Sequence, residues 1–347
     1  MYSTRDKILL ALENSPRHMI SGASLAGRLG LTRASVWKHI HALRAEGFPI
    51  RARKASGYRL SEPFDFSLLR GEAARALPAL PPVRSMEEGP PPLTHWTRAG
   101  RQGLRFWKIH YQFSTASTQA QAKAAAEQHA AEGNLWVAEK QTAGRGRLNR
   151  TWDSALGGLW VSILLRPAIV PSRVPSLTLV TALALAEAIQ SETGLAARLK
   201  WPNDVVIETP KGWRKVAGIL TEMSAEVDRT RWVIIGVGVN VSNRLPQALA
   251  DRAVSLSALA RAQVNRASLL KAFLSRLGTA YRRFEKSGFE AFRELYWRQY
   301  SLPDKAVQLK TSQGRRRGIA RGVDGHGALV VESQHQTTSI WEGEIII

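Results

Sequence analysis

QTAGRGRLNRTW, residues 141–152, is the stretch around which the rest of the chain is organised. Within it, three arginines and two glycines occupy seven consecutive positions, and a tryptophan follows. Glycine lets the backbone approach a ligand closely, and arginine offers a planar, permanently charged group that matches phosphate and carboxylate oxygens. The stretch predicts a flexible loop that closes over a polyphosphate or an acyl phosphate. Solvated loops and nucleic-acid arms also contain such basic runs, so the choice depends on the other motifs.

Two familiar phosphate-binding loops are excluded by the same residues. Asn149 stands where a dinucleotide-binding fingerprint needs its third glycine, and no capped amphipathic helix follows it. Neither Gly-Lys-Ser nor Gly-Lys-Thr occurs in the chain, so it contains no P-loop.

The composition limits the class of protein and its partners. The 347 residues suffice for two or three domains, and the net charge of +21 indicates a polyanionic partner, either nucleic acid or a phosphate-bearing ligand. A generally basic proteome would give the same charge. Zero cysteines exclude disulfides, cysteine nucleophiles and thiolate metal sites. The most apolar helix candidate, residues 177–189, is expected to be too short to span a bilayer, so we expect a cytoplasmic protein without a membrane partner.

Residues 1–62 predict a winged helix-turn-helix. Helical spacing of apolar residues indicates three short helices; Thr32 can cap the third, in which Val36, Ile40 and Leu43 face inward. Two short extended runs follow and form a basic wing. This arrangement is typical of proteins that lay the third helix in the major groove of DNA.

Charge supports DNA binding by this segment, which holds eleven Lys and Arg against four Asp and Glu. A three-helix module for protein contacts, with its charges merely solvated, is the alternative. Trp37 is expected in the core or at an interface and not on a base. The predicted DNA contacts are Arg33, Ser35, Lys38 and His39 of the third helix and Arg51, Arg53 and Lys54 of the wing.

The rest of the chain predicts an α+β protein. Residues 63–105 form a proline-rich linker. Short β-rich runs alternate with helices over residues 106–302, which indicates a mixed, largely antiparallel sheet flanked by helices. Residues 303–347 alternate again and predict a small β-barrel of SH3-like size.

Four further motifs could carry chemistry, and each has an ordinary structural interpretation: a helix cap, a turn, an exposed lysine and a strand bend, respectively. The motifs are Ser117-Thr118 at the start of a helix, Lys200-Trp201-Pro202-Asn203-Asp204 between two strands, Lys215-Val216-Ala217-Gly218 in an apolar strand, and Gly236-Val237-Gly238-Val239-Asn240 at a strand end.

Taken in order, GRGR-x-x-R-x-W, KWPND, K-x-AGIL and G-x-G-x-N resemble the motifs of the biotin–protein ligases. The winged helix ahead of them, and the barrel with GIARG at residues 318–322 behind them, are similar to the bifunctional ligases that also repress the biotin operon. The resemblance covers nearly the whole chain except the linker. It implies a catalytic domain of the class II synthetase and biotin ligase type.

The resemblance also implies a two-step reaction that uses ATP, biotin and Mg²⁺. Biotin and ATP give biotinyl-5′-adenylate and pyrophosphate, and a lysine of the biotin carboxyl carrier protein, a subunit of acetyl-CoA carboxylase, then takes the biotin. The adenylate is also expected to act as corepressor, so that the protein forms a homodimer and binds operator DNA.

The residues carried over by the resemblance fall into three groups. Catalysis is expected from Arg147, Lys215 and Asp204, the last of which would orient or deprotonate the incoming lysine. No metal site made of protein ligands alone is expected. Biotin would contact Ser117, Thr118, Gln141, Gly144, Arg145, Gly146, Arg147, Lys215 and Gly218, and the nucleotide would contact Arg147, Arg150, Trp152, Lys200, Asn203, Lys215, Asn240 and Arg321.

The chain departs from the family pattern in two informative places. Asn149 replaces a usual glycine and is expected to adopt the left-handed conformation that Asn tolerates. No aromatic residue follows Asn240 until Phe273, so the packing of adenine must differ. Two other functions stay open: a DNA-binding biotin sensor with weak or no ligase activity, and a lipoate- or octanoyl-type ligase, against which the arginine loop and the barrel argue.

Overall fold

The computed structural model describes residues 4–15, 18–46, 48–53, 56–61, 107–334 and 336–346. The predicted linker and the wing residue Lys54 lie outside these ranges.

The N-terminal part has the predicted order of three helices and a two-stranded wing. Ser21 and Thr32 accept hydrogen bonds from backbone N–H groups three residues ahead and so begin the second and third helices. Val36, Ile40 and Leu43 are buried, as the spacing predicted. The elements are α1 (Thr4–Glu13), α2 (Gly22–Leu29), α3 (Arg33–Ala45), β1 (Ile50–Arg53) and β2 (Gly57–Leu60).

A seven-stranded mixed sheet forms the central part, as predicted. Its strand order is β3-β4-β5-β9-β8-β7-β6, in which β3 and β4 are parallel and all other neighbours are antiparallel. The strands are β3 (Lys108–Thr115), β4 (Asn134–Gln141), β5 (Leu159–Leu165), β6 (Ala197–Lys200), β7 (Asp204–Thr209), β8 (Gly212–Ala225) and β9 (Thr230–Val239).

Helices cover the two faces of this sheet unequally. Alternate residues of each strand point to opposite faces, so Val233, Ile235 and Val237 of β9 join the main core. Trp232 and Ile234 point the other way and pack under one short helix. The helices are α4 (Thr118–Glu127) on that second face, α5 (Val174–Thr193) and α7 (Arg266–Ser287) in the main core, and the shorter α6 (Leu256–Ala260) and α8 (Arg293–Arg298).

The helix α5 is longer than the sequence suggested. Pro175 lies in its first turn and Gly194, at φ 72°, ends it, so polar residues at both ends are helical. Within the described residues, Pro171–Thr193 is the one helical run long and apolar enough by composition to cross a membrane, and 72% of its most apolar window is buried inside the protein. The expectation that this element is too short was wrong.

The C-terminal part is a five-stranded antiparallel sheet with the order β13-β12-β11-β10-β14. Closure of this sheet into an SH3-like barrel stays a prediction. The last strand was not predicted, because its three residues are too few to show alternation. The strands are β10 (Ala306–Thr311), β11 (Gly314–Val323), β12 (Leu329–Ser333), β13 (Gln336–Ile340) and β14 (Glu344–Ile346).

Candidate active site and nucleic-acid interface

A cavity of about 1000 Å³ lies on the second face of the central sheet, beside α4. Side-chain size along β9 explains its position. The strand carries Trp232 and Ile234 under α4, but the next two residues on the same face are glycines. Neighbouring strands also present small residues there, so the floor consists of Ser162, Gly218, Gly236 and Gly238.

The cavity brings together nearly all of the ligand-binding residues predicted from the separate motifs. Gly144 lies just behind the wall: a Cβ there would stand 2.4 Å from both Ser154 Oγ and the Trp152 carbonyl oxygen, so only glycine fits. The predicted residues that line the cavity are Ser117, Thr118, Gln141, Arg145, Gly146, Arg147, Arg150, Trp152, Lys200, Asn203, Asp204, Lys215, Gly218 and Asn240.

Arg321 is the exception among the predicted nucleotide contacts. It lies on β11 and does not line the cavity. Its guanidinium donates to Glu332 Oε2 at 2.6 Å and to Asp304 Oδ1 at 3.0 Å. Both carboxylates hold the side chain within the C-terminal sheet, and contact between Arg321 and the nucleotide stays a prediction.

One end of the cavity is lined by hydroxyl and amide groups. Ser117 caps α4, and the next residue, Thr118, donates its backbone N–H to Gln141 Oε1 at 2.8 Å. Gln141 is held in turn because its Nε2 donates to Ser154 Oγ at 2.8 Å. This fixes an uncharged, polar pocket where β4 ends and α4 begins.

Two residues that sequence reasoning missed complete that pocket. Ser162 donates its hydroxyl to Gln119 Oε1 at 3.0 Å, and its own oxygen lies 2.8 Å from Thr118 Oγ1. Thr118 Oγ1 also lies 3.0 Å from Gln141 Oε1, to which it donates, so the two hydroxyl protons are shared among three contacts. In each arrangement Thr118 Oγ1 keeps a lone pair that can accept from a ligand N–H. Gln119 and Ser162 gave no signal in the sequence because they come from an ordinary helix and an ordinary strand.

The arginine loop is a short hairpin folded back on itself. Arg145 and Thr151 form an antiparallel bridge, and the Gly146 N–H donates to the Arg150 carbonyl at 2.7 Å. The turn contains Leu148 at φ 55° and Asn149 at φ 56°. The left-handed conformation expected for Asn149 is thus confirmed. The positive φ of Leu148 costs conformational energy, because residues with branched, apolar side chains rarely adopt this backbone conformation.

Contacts with the C-terminal sheet hold this loop over the cavity. Arg147 donates to Asn203 Oδ1 at 3.0 Å and to the Gly343 carbonyl at 3.4 Å. Arg150 forms a two-pronged pair with Glu344, at 2.8 Å and 2.6 Å. The hydrogen bonds from Arg150 lower the pKa of the Glu344 carboxyl, and burial lowers the pKa of Arg147. Glu344 could not be predicted from any motif, because it lies almost two hundred residues from the loop.

Lysine, aspartate and tryptophan side chains meet at the other end of the cavity. Lys215 Nζ lies 2.6 Å from Asp204 Oδ1 and 4.9 Å from the centre of the Trp152 ring. Asp204 Oδ1 accepts no hydrogen bond, so its contact with Lys215 is an ion pair that does not have the geometry of a hydrogen bond. Burial lowers the pKa of Lys200, which also lines the cavity. Positive charge is therefore concentrated opposite the polar pocket.

The indole of Trp152 lies flat on two glycines of adjacent strands. Gly218 and Gly238 are directly paired across β8 and β9, and added Cβ atoms would lie 2.9 Å and 2.7 Å from the ring. Larger residues at either position would push the indole away. The glycine motif of β9 thus supports an aromatic ring of the protein itself.

Two tryptophans near the cavity, Trp201 and Trp213, have positions that the sequence motifs did not indicate. Trp201 is buried and donates its indole N–H to the Gly327 carbonyl at 3.1 Å, so it attaches the C-terminal sheet to the central one. Trp213, at the start of β8, lines the cavity and was not singled out in the sequence. It supplies an aromatic ring although the segment after Asn240 has none.

The face of α3 opposite its buried residues is the candidate nucleic-acid interface. Arg33 and Lys38 are exposed there, as are Arg51 and Arg53 in the wing. Ser35 and His39 are half-buried at the side of the helix. Trp37 is 60% exposed, so of its two expected places, the core or an interface, only the interface remains.

Comparison with known proteins identifies two families in this arrangement. Residues 4–59 match the HTH domain, and residues 112–240 match the Biotin/lipoate A/B protein ligase family. The first match covers the described helices and wing, and the second contains the arginine loop and the paired glycines.

Individual relatives match over almost the full length. The Bifunctional ligase/repressor BirA of Bacillus spizizenii is 36% identical over 99% of each chain, and that of Escherichia coli is 26% identical over 98% of this chain and 95% of its own. Among solved structures, a biotin protein ligase from Aquifex aeolicus in complex with biotin and ATP is 29% identical. It superimposes with a TM-score of 0.60 over 69% of this chain and 97% of its own. The chain belongs to the family of bifunctional ligase/repressor BirA proteins.

Proposed function

We propose that the chain is an ATP-dependent biotin–protein ligase that also acts as a biotin-responsive repressor. The observation that carries the enzyme half is the division of one cavity into an uncharged polar end and a cationic end, both beneath the arginine loop. Biotin has a neutral ureido ring at one end and a carboxylate at the other, so it matches this division. The family and the Aquifex ligase bound to biotin and ATP support the same choice.

Biotin binds with its ring in the polar pocket. Thr118 Oγ1 and the Ser117 hydroxyl receive the ureido N–H groups, while Trp152 on its glycine support covers the apolar part of the ligand. The carboxylate then extends toward Arg147 and Lys215. Removing a buried partner of such a hydrogen bond typically costs about 1–3 kcal/mol, so the pocket discriminates between acids by their ring.

The first step joins biotin to the nucleotide. A carboxylate oxygen attacks the α-phosphorus of ATP, and the bond to the β-phosphate breaks to release pyrophosphate. Negative charge grows on the phosphoryl oxygens, and Lys215, Arg147 and Arg150 stabilise it in place of water. Trp213 is the ring that we propose packs against adenine, with Lys200, Asn203 and Asn240 around the ribose and phosphates.

The second step transfers biotin to the carrier protein. A lysine amine of the carrier forms a bond to the acyl carbon, the bond to AMP breaks, and the amine loses a proton. Asp204 is an acidic side chain in the cavity and attracts and orients this lysine. The adenylate hydrolyses in water, so the loop must cover it until the carrier arrives.

Mg²⁺ is proposed to enter with the nucleotide. No group of three His, Asp or Glu side chains close enough to hold a metal occurs in the described ranges. Mg²⁺ needs only one or two protein oxygens beside substrate phosphates and water. Asn240 and Asp204 line the cavity, and their side-chain oxygens would serve as such ligands. Bound there, the ion would neutralise phosphate charge.

The regulatory half of the proposal concerns the N-terminal part. In the cytoplasm, the adenylate orders the loops of the protein, which then forms a homodimer. The winged helix at residues 1–62 of this dimer binds operator DNA. Residues 63–105 link it to the catalytic part, residues 106–302, and residues 303–347 form the SH3-like barrel. The HTH family match and the BirA relatives support this division.

Biotin-dependent exchange of labelled pyrophosphate into ATP, followed by labelling of a biotin carboxyl carrier domain, tests the enzyme half. We expect both to require biotin. Exchange with no labelling of the carrier would favour a biotin sensor. Equal exchange with lipoic or octanoic acid would favour the lipoate-type ligase, and no exchange at all would defeat the enzyme proposal.

A further inference from the structure

Two aromatic side chains stand together on the outer face of α3. Trp37 is 60% exposed, and its ring centre lies 5.3 Å from that of His41, one helical turn further on. The opposite face holds the helix in the N-terminal core through Val36, Ile40 and Leu43. The pair is therefore held in a fixed direction, away from the core of its own domain.

Trp37 lies on a different part of the helix surface from two of the predicted DNA contacts, Ser35 and His39. Ala34, Lys38 and His41 are spaced four and three residues apart, so they share one face with Trp37, and all four are exposed. Ser35 and His39 lie half-buried to the side. The face that can approach a groove thus consists of one small, one cationic and two aromatic residues.

The electrostatic surroundings indicate which partner covers this face. Between residues 18 and 61 the sequence has a single carboxylate, Glu46, and it is paired with Arg5. Arg33 and Lys38 flank the aromatic pair, and the exposed arginines of the wing, Arg51 and Arg53, belong to the same basic domain. An apolar ring surrounded by cations without acidic neighbours suits a polyanion that also presents apolar groups, which describes the major groove of DNA.

We propose that Trp37 reads thymine: its indole, supported by His41, packs against the C5-methyl group of a thymine in the major groove. The cations on either side would contact phosphates. Apolar contact with this methyl group is one of the recurrent ways in which side chains distinguish thymine from other bases. The inference rests on the proposed DNA binding and adds the residue that selects a base.

Such a contact has a signature that a phosphate contact lacks. Trp37 carries no charge, so its removal releases no additional counterions and leaves the salt dependence of binding unchanged. It should weaken binding to the preferred sequence while leaving binding to random DNA nearly the same. A lysine or arginine removed from the same face would change both.

Replacement of thymine by 2′-deoxyuridine tests the contact, because it removes only the methyl group. The full chain, with biotin and ATP present, is first used to select its preferred duplex from a random library. At one or more thymines of that duplex, we expect deoxyuridine to weaken wild-type binding by roughly tenfold. Trp37→Ala should bind the thymine duplex about as weakly as the wild type binds the deoxyuridine duplex, and should not distinguish the two.

Controls separate this role from a general loss of structure. Trp341→Ala removes a similarly exposed indole, 56% accessible, from the C-terminal sheet and should leave the discrimination intact. Trp37→Phe keeps an aromatic ring and should retain part of the discrimination between thymine and deoxyuridine. This variant is the one to use if Trp37→Ala is unstable. Biotin transfer by Trp37→Ala should proceed at the wild-type rate, which shows that the catalytic part is folded, and its binding to random DNA should equal that of the wild type, which shows that the N-terminal part is folded.

Three results would overturn the inference. The wild type could be insensitive to deoxyuridine at every thymine, or Trp37→Ala could lose further affinity when thymine is replaced, to the same extent as the wild type. Failure of the wild type to select any sequence while it still transfers biotin would end both the repressor role and this inference but not the ligase proposal.

Discussion

At the scale of single residues, the site depends on positions where a side chain would be too large. Gly238 is the clearest case, since it supports the Trp152 ring and has no room for a methyl group. Gln119, Gln141 and Ser162 hold the hydroxyl group of Thr118 in place through three short contacts. Neither kind of role needs a charged group, so neither is obvious from residue types alone.

Gly238→Ala tests the glycine support. The new Cβ would stand 2.7 Å from the Trp152 ring, so the indole must shift. We expect the KM for biotin to rise by roughly tenfold, since overpacking typically costs about 1–3 kcal/mol, with a smaller change in the KM for ATP. Steady-state kinetics of pyrophosphate exchange measure both.

Gly322→Ala is the matched control, because a Cβ there meets nothing within 4 Å. Its kinetics should equal those of the wild type. An unchanged KM for biotin in Gly238→Ala would show that Trp152 does not contact the ligand.

A second residue-scale prediction concerns stability. Burial raises the pKa of Glu187 on α5 from 4.5 to about 7, although Arg276 opposes the shift, and Oε1 has no hydrogen-bond partner. Between these pH values the folded state binds a proton that the unfolded state has lost. The free energy of unfolding should therefore fall as the pH rises from about 4.5 to 7 and then level off.

Glu187→Gln should remove this loss. We expect the free energy of unfolding of this variant to match that of the wild type near pH 5 and to exceed it near pH 8 by up to about 3 kcal/mol. Denaturant unfolding at both pH values measures the difference. Glu192→Gln, an exposed position on the same helix, should show no such pH-dependent gain. Equal offsets at pH 5 and pH 8 would contradict the buried carboxyl.

At the scale of elements, the proposed mechanism makes the arginine loop a lid and β14 its latch. The latch pair, Arg150 and Glu344, is more than a third exposed on both sides, and such pairs contribute only about 0.2–1 kcal/mol. The loop can therefore open in every turnover. Because Arg150 keeps the pKa of Glu344 low, the latch should persist at neutral pH and weaken only under more acidic conditions than those that protonate an ordinary Glu.

Glu344→Gln should loosen the lid. We expect biotinyl-adenylate to leave the enzyme up to about fivefold faster, with little change in biotin affinity. Added salt should speed release from the wild type but hardly from the variant, because salt screens the exposed pair. Release can be followed by trapping free adenylate after rapid dilution.

The exposed Arg298–Glu294 pair on α8 provides the control for that experiment. Glu294→Gln should release adenylate at the wild-type rate. If Glu344→Gln also did so at every salt concentration, the C-terminal sheet would have no part in holding the loop.

At the scale of the whole molecule, two sheets form the cavity, and the N-terminal part contacts one of them. The central sheet provides the floor, the C-terminal sheet provides Gly343 and Glu344, and Trp201 fastens these two sheets together. The N-terminal part reaches the same neighbourhood: Glu46 at the end of α3 lies 3.9 Å from Lys140, next to Gln141. The N-terminal part thus contacts β4 at the residue that precedes the cavity residue Gln141.

The order of elements and most cavity residues could be predicted from the sequence because they lie in short motifs at strand ends. Contacts between distant segments could not. Glu344 meets Arg150 only because β14 pairs with β10, and Arg321 turns away because Glu332 and Asp304 neutralise it. The first turn of α5 also escaped prediction, since Val174, Pro175 and Ser176 precede the apolar run that indicated the helix.

The most direct test of the lid is the fate of the adenylate in Arg147→Ala. This change removes the contacts to Asn203 and Gly343 together with the charge over the α-phosphate. We expect biotin affinity, measured by calorimetry, to fall less than adenylate retention, and the rate of biotinyl-adenylate release to rise at least about tenfold, since hydrogen bonds to charged groups contribute about 1.5–3 kcal/mol. Equal losses of biotin binding and adenylate retention would contradict a loop that closes over the activated intermediate.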